Sequence, residues 1–274
     1  MTGNLGPRLS SAVATSAADF THASSAPYDP ANLLDRVSRR ETLEVNYRHM
    51  MERERELVDR RLRLTGGDVV SVGAGWHPGR HLFPAPAFRI LAIDSDPDRV
   101  AGVLESGRAD DARLGSAGEL DLPDASCDVV LYRLVLHHIA FQGPLAPCFA
   151  EARRLLRPGG ALVAIEPGLW HPVGAGLSLA NRSGLATRLH GTPDDIPLSP
   201  RALVAEAQAA GLEPELHAVT YTWRRLPGIV QRGLQPLDAL GSRPRAARFG
   251  HTLMLIARRP KGLPGNICGA LNVG

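Results

Sequence analysis

Apolar residues fall along this chain in short runs, each closed by glycine, proline or an acid. Val69–Val72 stops at Gly73 and Gly75, and Ile90–Ile93 stops at the lone carboxylate of Asp94. Runs of that length between turn residues predict parallel strands buried on both faces. Cys127–Tyr132 and Ala161–Ile165 repeat the form, and Ala112–Ser116 is a shorter version. Helical stretches alternate with them. Pro97 sits where a helix over Asp98–Ser106 begins. A second helix from about Pro144 to Leu156 runs into the RPGG stop at Arg157–Gly160. Pro78, Pro84 and Pro86 allow only a short helical turn between the first two strands. The alternation predicts a doubly wound α/β fold.

The flanks follow other patterns. Met1–Pro30 is rich in Ser, Ala, Thr and Pro and lacks periodicity. Ala31–Leu64 is dense in Arg and Glu, with apolar residues at helical intervals up to Gly66–Gly67; it predicts one or two amphipathic helices. Those helices either pack on the sheet edge or form a lid, with Tyr28, Asn46, Tyr47 and His49 facing the pocket. His171–Pro197 shows weak periodicity. Ser199 caps a helix that Pro200 starts and Gly211 stops. Glu215–Trp223 and Thr252–Ala257 read as two more strands, separated by the Pro- and Arg-rich stretch Arg224–Arg248. The organisation expected is an arm over residues 1–30, a helical segment over 31–66, one α/β domain over 67–260 and a tail over 261–274.

Composition narrows the partners. Across 274 residues, 44% are hydrophobic and the net charge is +3. Lys261 is the single lysine, a sign of codon usage more than of a nucleic-acid surface. No basic run is interleaved with aromatics, so no nucleic acid is expected. Cys127, Cys148 and Cys268 lack metal-site or disulfide spacing, and no metal is expected. Without a long apolar run or a basic-flanked leader, a cytoplasmic protein with no transmembrane segment is expected. Trp223, Arg224, Arg225, Leu226, Ile229 and Val230 mix apolar and basic side chains. They fit ordinary loop packing or peripheral contact with a lipid surface. The oligomeric state is left open.

The chemistry begins at the glycine turn. Glycines let the backbone bend and approach a ligand, and the acid at the next strand tip can accept both ribose hydroxyls. Pro78 occupies the third glycine position of the dinucleotide fingerprint and argues against NAD. The series VVSVGAG, ILAIDSDPDRV, LDLPDASCDVVLYRLVLHHI and FAEARRLLRPGGALVAIEPG, in that order, resembles the class I S-adenosylmethionine-dependent methyltransferases. It looks most like the small-molecule branch that includes quinone-biosynthesis enzymes. The resemblance covers Asp68–Pro167, and more loosely Gly250–Arg258. It implies a Rossmann-like sheet of seven strands, the last antiparallel, with an N-terminal helical lid, and S-adenosylmethionine as cofactor. By that resemblance Gly73, Ala74 and Gly75 lie against the methionine part, Asp94 holds the ribose, and Ser95, Ser116 and Ala117 flank the adenine. Arg133 joins the cofactor set. Three positions depart from the pattern: Ser71 replaces the usual first-strand acid, His77 the third glycine, and Ser116 the adenine-binding Asp.

Methyl transfer needs alignment, and an alcohol acceptor also needs a base. The candidates are His137, His138, Glu166 and His171. His138 has a narrow preference, because Leu134, Val135, His138 and Ile139 share one face; a packed core histidine gives the same pattern. Glu166 ends a strand at the carboxyl edge, where ligands bind. The expected function is O-methylation of a small-molecule or glycoconjugate hydroxyl. The alternatives are C-methylation of a quinone-like ring and a non-catalytic cofactor-binding partner protein.

Overall fold

The computed structural model describes residues 40–181 and 196–261. A helix α1 (Arg40–Leu62) precedes strand β1 (Gly67–Val72). Then come β2 (Phe88–Asp94), α2 (Pro97–Glu105), β3 (Asp111–Leu114) and β4 (Cys127–Arg133). Two helices, α3 (Leu136–Gln142) and α4 (Ala146–Leu155), lead to β5 (Leu156–Pro167). The chain continues through α5 (Pro172–Asn181), α6 (Pro200–Ala209) and β6 (Glu213–Thr220). Helix α7 (Gly228–Leu234), a 3-10 turn (Gln235–Leu240) and α8 (Pro244–Ala247) precede β7 (Thr252–Arg258).

The strands form one seven-stranded sheet in the order β3-β2-β1-β4-β5-β7-β6. β1 to β5 run parallel, and β7 is antiparallel to both of its neighbours. The register sets Thr252 opposite both Pro167 and Thr220. The end of β5, the end of β6 and the start of β7 therefore share one edge with the tips of β1, β2 and β4.

Alternation along the strands splits the core into two layers. Val70, Tyr132, Leu162 and Leu255 face Phe149 and Leu155 of α4 and Leu203 of α6. Val69, Leu131, Val163 and Met254 face Leu57, Val58 and Leu62 of α1. A helix the length of α1 spans about 34 Å, longer than β1, β4, β6 or β7. Met50 meets Thr252 at the carboxyl edge, whereas Arg258 Nη2 donates to the carbonyl of Arg61 at the other end. The turns before Met50 thus overhang the edge that carries the glycine loop. The packing reading holds for the half of the helix from Met50 to Leu62.

Several expectations change. RPGG does not stop short of the strand but forms its entry: β5 starts at Leu156, which pairs with Cys127, and the register shifts before Val129. Gly159, at φ +85°, accommodates the irregular backbone, and Arg157 ties the entry to Asp68 and Asp128. Pattern reading also missed α5, which shows only one buried residue, and the helices of the Arg224–Arg248 stretch. Tyr28, the arm and most of the tail lie outside the described residues.

Candidate active site

At the tip of β1 the backbone turns with φ +60° at Gly73 and +52° at Gly75. A Cβ on Gly73 would meet Val135 Cγ2 at 2.3 Å, so the loop must pack glycine-tight against the β4 tip. A Cβ on Gly75 would meet nothing within 4 Å, so that side of the loop is open. Ala74 N donates to the carbonyl of Ile93 at 3.0 Å, which joins the loop to β2.

Asp94 is buried beside that opening. Its Oδ2 accepts from Gly75 N at 2.8 Å and its Oδ1 from Asp96 N at 3.0 Å. A carboxylate offers about four acceptor positions, so these bonds fix its orientation and leave capacity for hydroxyl donors. Gly115 N donates to the Asp94 carbonyl at 3.0 Å, which brings the turn holding Ser116 and Ala117 alongside. Ser95 and Ser116 are exposed and Ala117 is half-buried. The expected cofactor residues other than Arg133 thus gather at one end of β1 and β2.

Arg133 does not join them through its side chain. Its guanidinium is buried, with Nε 2.9 Å and Nη2 3.2 Å from the two Glu54 oxygens and Nη1 3.3 Å from Tyr47 Oη. Burial raises the Glu54 pKa, but Arg133 and His81, whose Nε2 lies 2.8 Å away, bring it below the usual value. A guanidinium engaged this way ties α1 to the β4 tip. His77, at the third glycine position, packs near Tyr47 with ring centroids 6.4 Å apart. Burial, then Arg133, lowers its pKa to about 3, and its buried Nε2 has no hydrogen-bond partner.

Glu166 also departs from expectation. It is fully buried, and Oε1 accepts from Val135 N at 3.0 Å and Leu136 N at 2.8 Å. Its Oε2 lies 2.6 Å from His137 Nδ1. The carboxylate holds the start of α3 and orients the ring of His137, with both oxygens engaged. Leu134, just before, has φ +57° and donates to the Ile165 carbonyl at 2.8 Å. This is a strained conformation for leucine. It makes His137 the buried member of the pair and leaves His138 half-buried, the reverse of the pattern-based preference. The rings lie 4.0 Å apart.

His171 has both nitrogens engaged. Nδ1 accepts from Val173 N at 3.2 Å, so Nε2 carries the proton that it donates to the Tyr221 carbonyl at 3.1 Å. Burial lowers its pKa, and this neutral tautomer cannot take a proton without breaking a bond. Across the same edge, His49 Nε2 lies 2.8 Å from Asp238 Oδ2, and Tyr221 N donates to Asp238 Oδ1 at 2.9 Å. Sequence reasoning missed Glu54, Asp238 and the backbone turn at Leu134. It also missed Trp76, whose ring fills the space above Gly102.

Residues 70–164 match the family described as a methyltransferase domain. A protein named as a probable S-adenosylmethionine-dependent methyltransferase from Mycolicibacterium smegmatis is 38% identical over 117 residues, 42% of this chain and 44% of that one. A similarly named protein of Mycobacterium tuberculosis is 34% identical over 42% of each chain. This chain thus matches less than half the length of these relatives. Among solved structures, the cyclase SpnF gives a TM-score of 0.55 at 20% identity, covering 89% of this chain and 93% of that one. A SAM-dependent methyltransferase from Thermotoga maritima gives 0.53 at 16%, covering 78% and 95%. These likenesses define the fold. Residues 70–164 thus match a methyltransferase domain, and the two relatives above are named as S-adenosylmethionine-dependent. The branch resembling quinone-biosynthesis enzymes is not singled out by these matches.

Proposed function

We propose that this protein transfers the methyl group of S-adenosylmethionine to a hydroxyl of a small molecule or glycoconjugate. The observation that carries the reading is the open side of Gly75 together with the oriented carboxylate of Asp94, which accepts from the Gly75 N–H. That pairing fits the cofactor: the loop admits a ligand where a side chain would stand, and Asp94 retains acceptor capacity for ribose hydroxyls. The orphaned Nε2 of His77 is a polar atom suited to the amino-acid end. The bound cofactor supplies the electrophilic methyl; the protein supplies alignment and proton removal.

For proton removal the geometry favours His137, supported by Glu166. A carboxylate on Nδ1 fixes the tautomer, makes Nε2 the basic nitrogen and stabilises the imidazolium that forms. His138, stacked on it, shapes the acceptor side. In single-turnover assays with labelled cofactor, His137→Ala should lose about 10²–10⁴-fold in rate with cofactor affinity kept. His138→Ala should lose much less. The reverse order would make His138 the base, and equal small losses would leave alignment alone. Mass spectrometry of a host extract incubated with enzyme and labelled cofactor identifies the acceptor. A label on carbon indicates C-methylation. Binding without turnover indicates a cofactor-binding partner protein.

A further inference from the structure

The connection from β6 to β7 leaves and rejoins the sheet at the carboxyl edge, because Thr220 and Thr252 are paired there. Its side chains have an uneven composition. Between Trp223 and Phe249 stand six arginines and one carboxylate, Asp238, and that carboxylate is buried on His49 and Tyr221 N. The segment's excess of positive charge exceeds the +3 of the whole chain. Arg232, Arg243, Arg245 and Arg248 are exposed, and none has an ion-pair partner among the described residues.

Large apolar side chains are exposed in the same region. Ile229 is 75% exposed, and Val230, Leu237 and Phe249 are also open to solvent. Leu179 of α5, which follows β5 at this edge, is 67% exposed, and Val45 lies on the overhanging turns of α1. In α7 the only buried residue is Gln231, whose Nε2 donates to the carbonyls of Arg224 and Leu226. The helix is thus anchored by a polar contact while its aliphatic residues point outward. Ordinary core packing would place them the other way round.

We propose that this face docks onto an anionic lipid bilayer, the aliphatic side chains entering the headgroup boundary and the arginines pairing with lipid phosphates. Charge and apolarity together select this partner. Anionic membranes attract clustered Arg, and inserted Ile, Val, Leu and Phe add burial that persists in salt. A nucleic acid would require stacking faces, and three of the four exposed apolar residues here are aliphatic. The acceptor half of the candidate site would then open at the bilayer surface.

Flotation of the full chain with vesicles tests this and needs no turnover, so it stands apart from the methyltransferase reading. Binding should occur to vesicles containing phosphatidylglycerol, not to pure phosphatidylcholine. Combining Arg243→Ser, Arg245→Ser and Arg248→Ser should lower partitioning about 10²-fold. Ile229→Ser with Phe249→Ser should abolish the part that survives high salt. Calorimetry should show unchanged S-adenosylmethionine affinity in both variants, which confirms that they fold. Failure of the wild type to float with anionic vesicles overturns the proposal. So does binding to heparin that the apolar substitutions leave untouched, or a concentration-dependent dimer that those substitutions abolish without any vesicle binding.

Discussion

Two glycines two residues apart do different work. Gly73 and Gly75 both have positive φ, which costs an L-residue about 1–2 kcal/mol. Only at Gly73 would a side chain also strike the protein, on Val135. Gly73→Ala should therefore destabilise the fold markedly. Gly75→Ala should cost little more than its backbone term, yet reduce S-adenosylmethionine affinity, because its methyl would stand in the opening. Denaturant unfolding and calorimetry on the two variants separate the effects; equal affinity in Gly75→Ala and wild type would place the ligand elsewhere. Asp94 belongs to the same scale. Hydrogen bonds to a charged group contribute about 1.5–3 kcal/mol each, so Asp94→Ala should weaken cofactor binding at least tenfold. The same change also frees the N–H groups of Gly75 and Asp96, so a slackened loop is expected alongside. Undiminished binding in a folded Asp94→Ala variant would remove the residue from the site.

Helix α1 is held at three levels. Leu57, Val58 and Leu62 bury apolar surface on the sheet, Glu54 pairs with Arg133, and His49 and Arg53 reach Asp238. The Glu54–Arg133 pair is buried, so removing one partner strands a charge, at a cost of about 3–5 kcal/mol. Glu54→Gln should show that loss in denaturant unfolding. Glu54→Leu combined with Arg133→Met should recover most of it, since an apolar pair avoids desolvating either charge. If the double variant is as unstable as the single, the tie is more than an ion pair. The helix was legible from its charge and periodicity, but it ends at Leu62, where Arg63 takes φ +54°, four residues before the expected stop at Gly66–Gly67, and Gly67 already opens β1. Its placement over the sheet was not legible. Which turns lie over the sheet and which overhang it depends on where Met50 meets Thr252, and those residues are far apart in the chain.

At the scale of the whole molecule, buried neutral histidines make stability depend on pH. Burial lowers both His77 and His251 to about 3, His77 next through Arg133 and His251 through His171. An unfolded histidine titrates near 6.5. Between pH 6.5 and 3 the unfolded chain therefore binds more protons, and stability rises with pH. Each such group contributes at most about 1.4 kcal/mol per pH unit within that window. The full contribution is present above pH 6.5. Melting temperature should fall from pH 7 to pH 5, and His251→Gln should flatten the slope. An identical slope in that variant would show that His251 is not buried neutral in the folded protein.

The sequence by itself determined the parallel strand pattern, the glycine turn after β1, the acid closing β2 and the class of domain they compose. Each is written in neighbouring residues, through apolar runs, punctuating glycines and strand-tip positions. The tertiary structure decided what the remaining polar residues do. Arg133 reads as a ligand contact until Glu54 is found against it, and Glu166 reads as a pocket acid until the N–H groups of Val135 and Leu136 are seen to fill it. RPGG does follow the end of α4 at Leu155, but it reads as a turn ahead of the strand until Leu156 is paired with Cys127. In each case the deciding partner is distant in sequence. Burial in a low-dielectric interior drives charged and hydrogen-bonding groups to the partner the fold brings near them, and local pattern carries no information about which partner that will be.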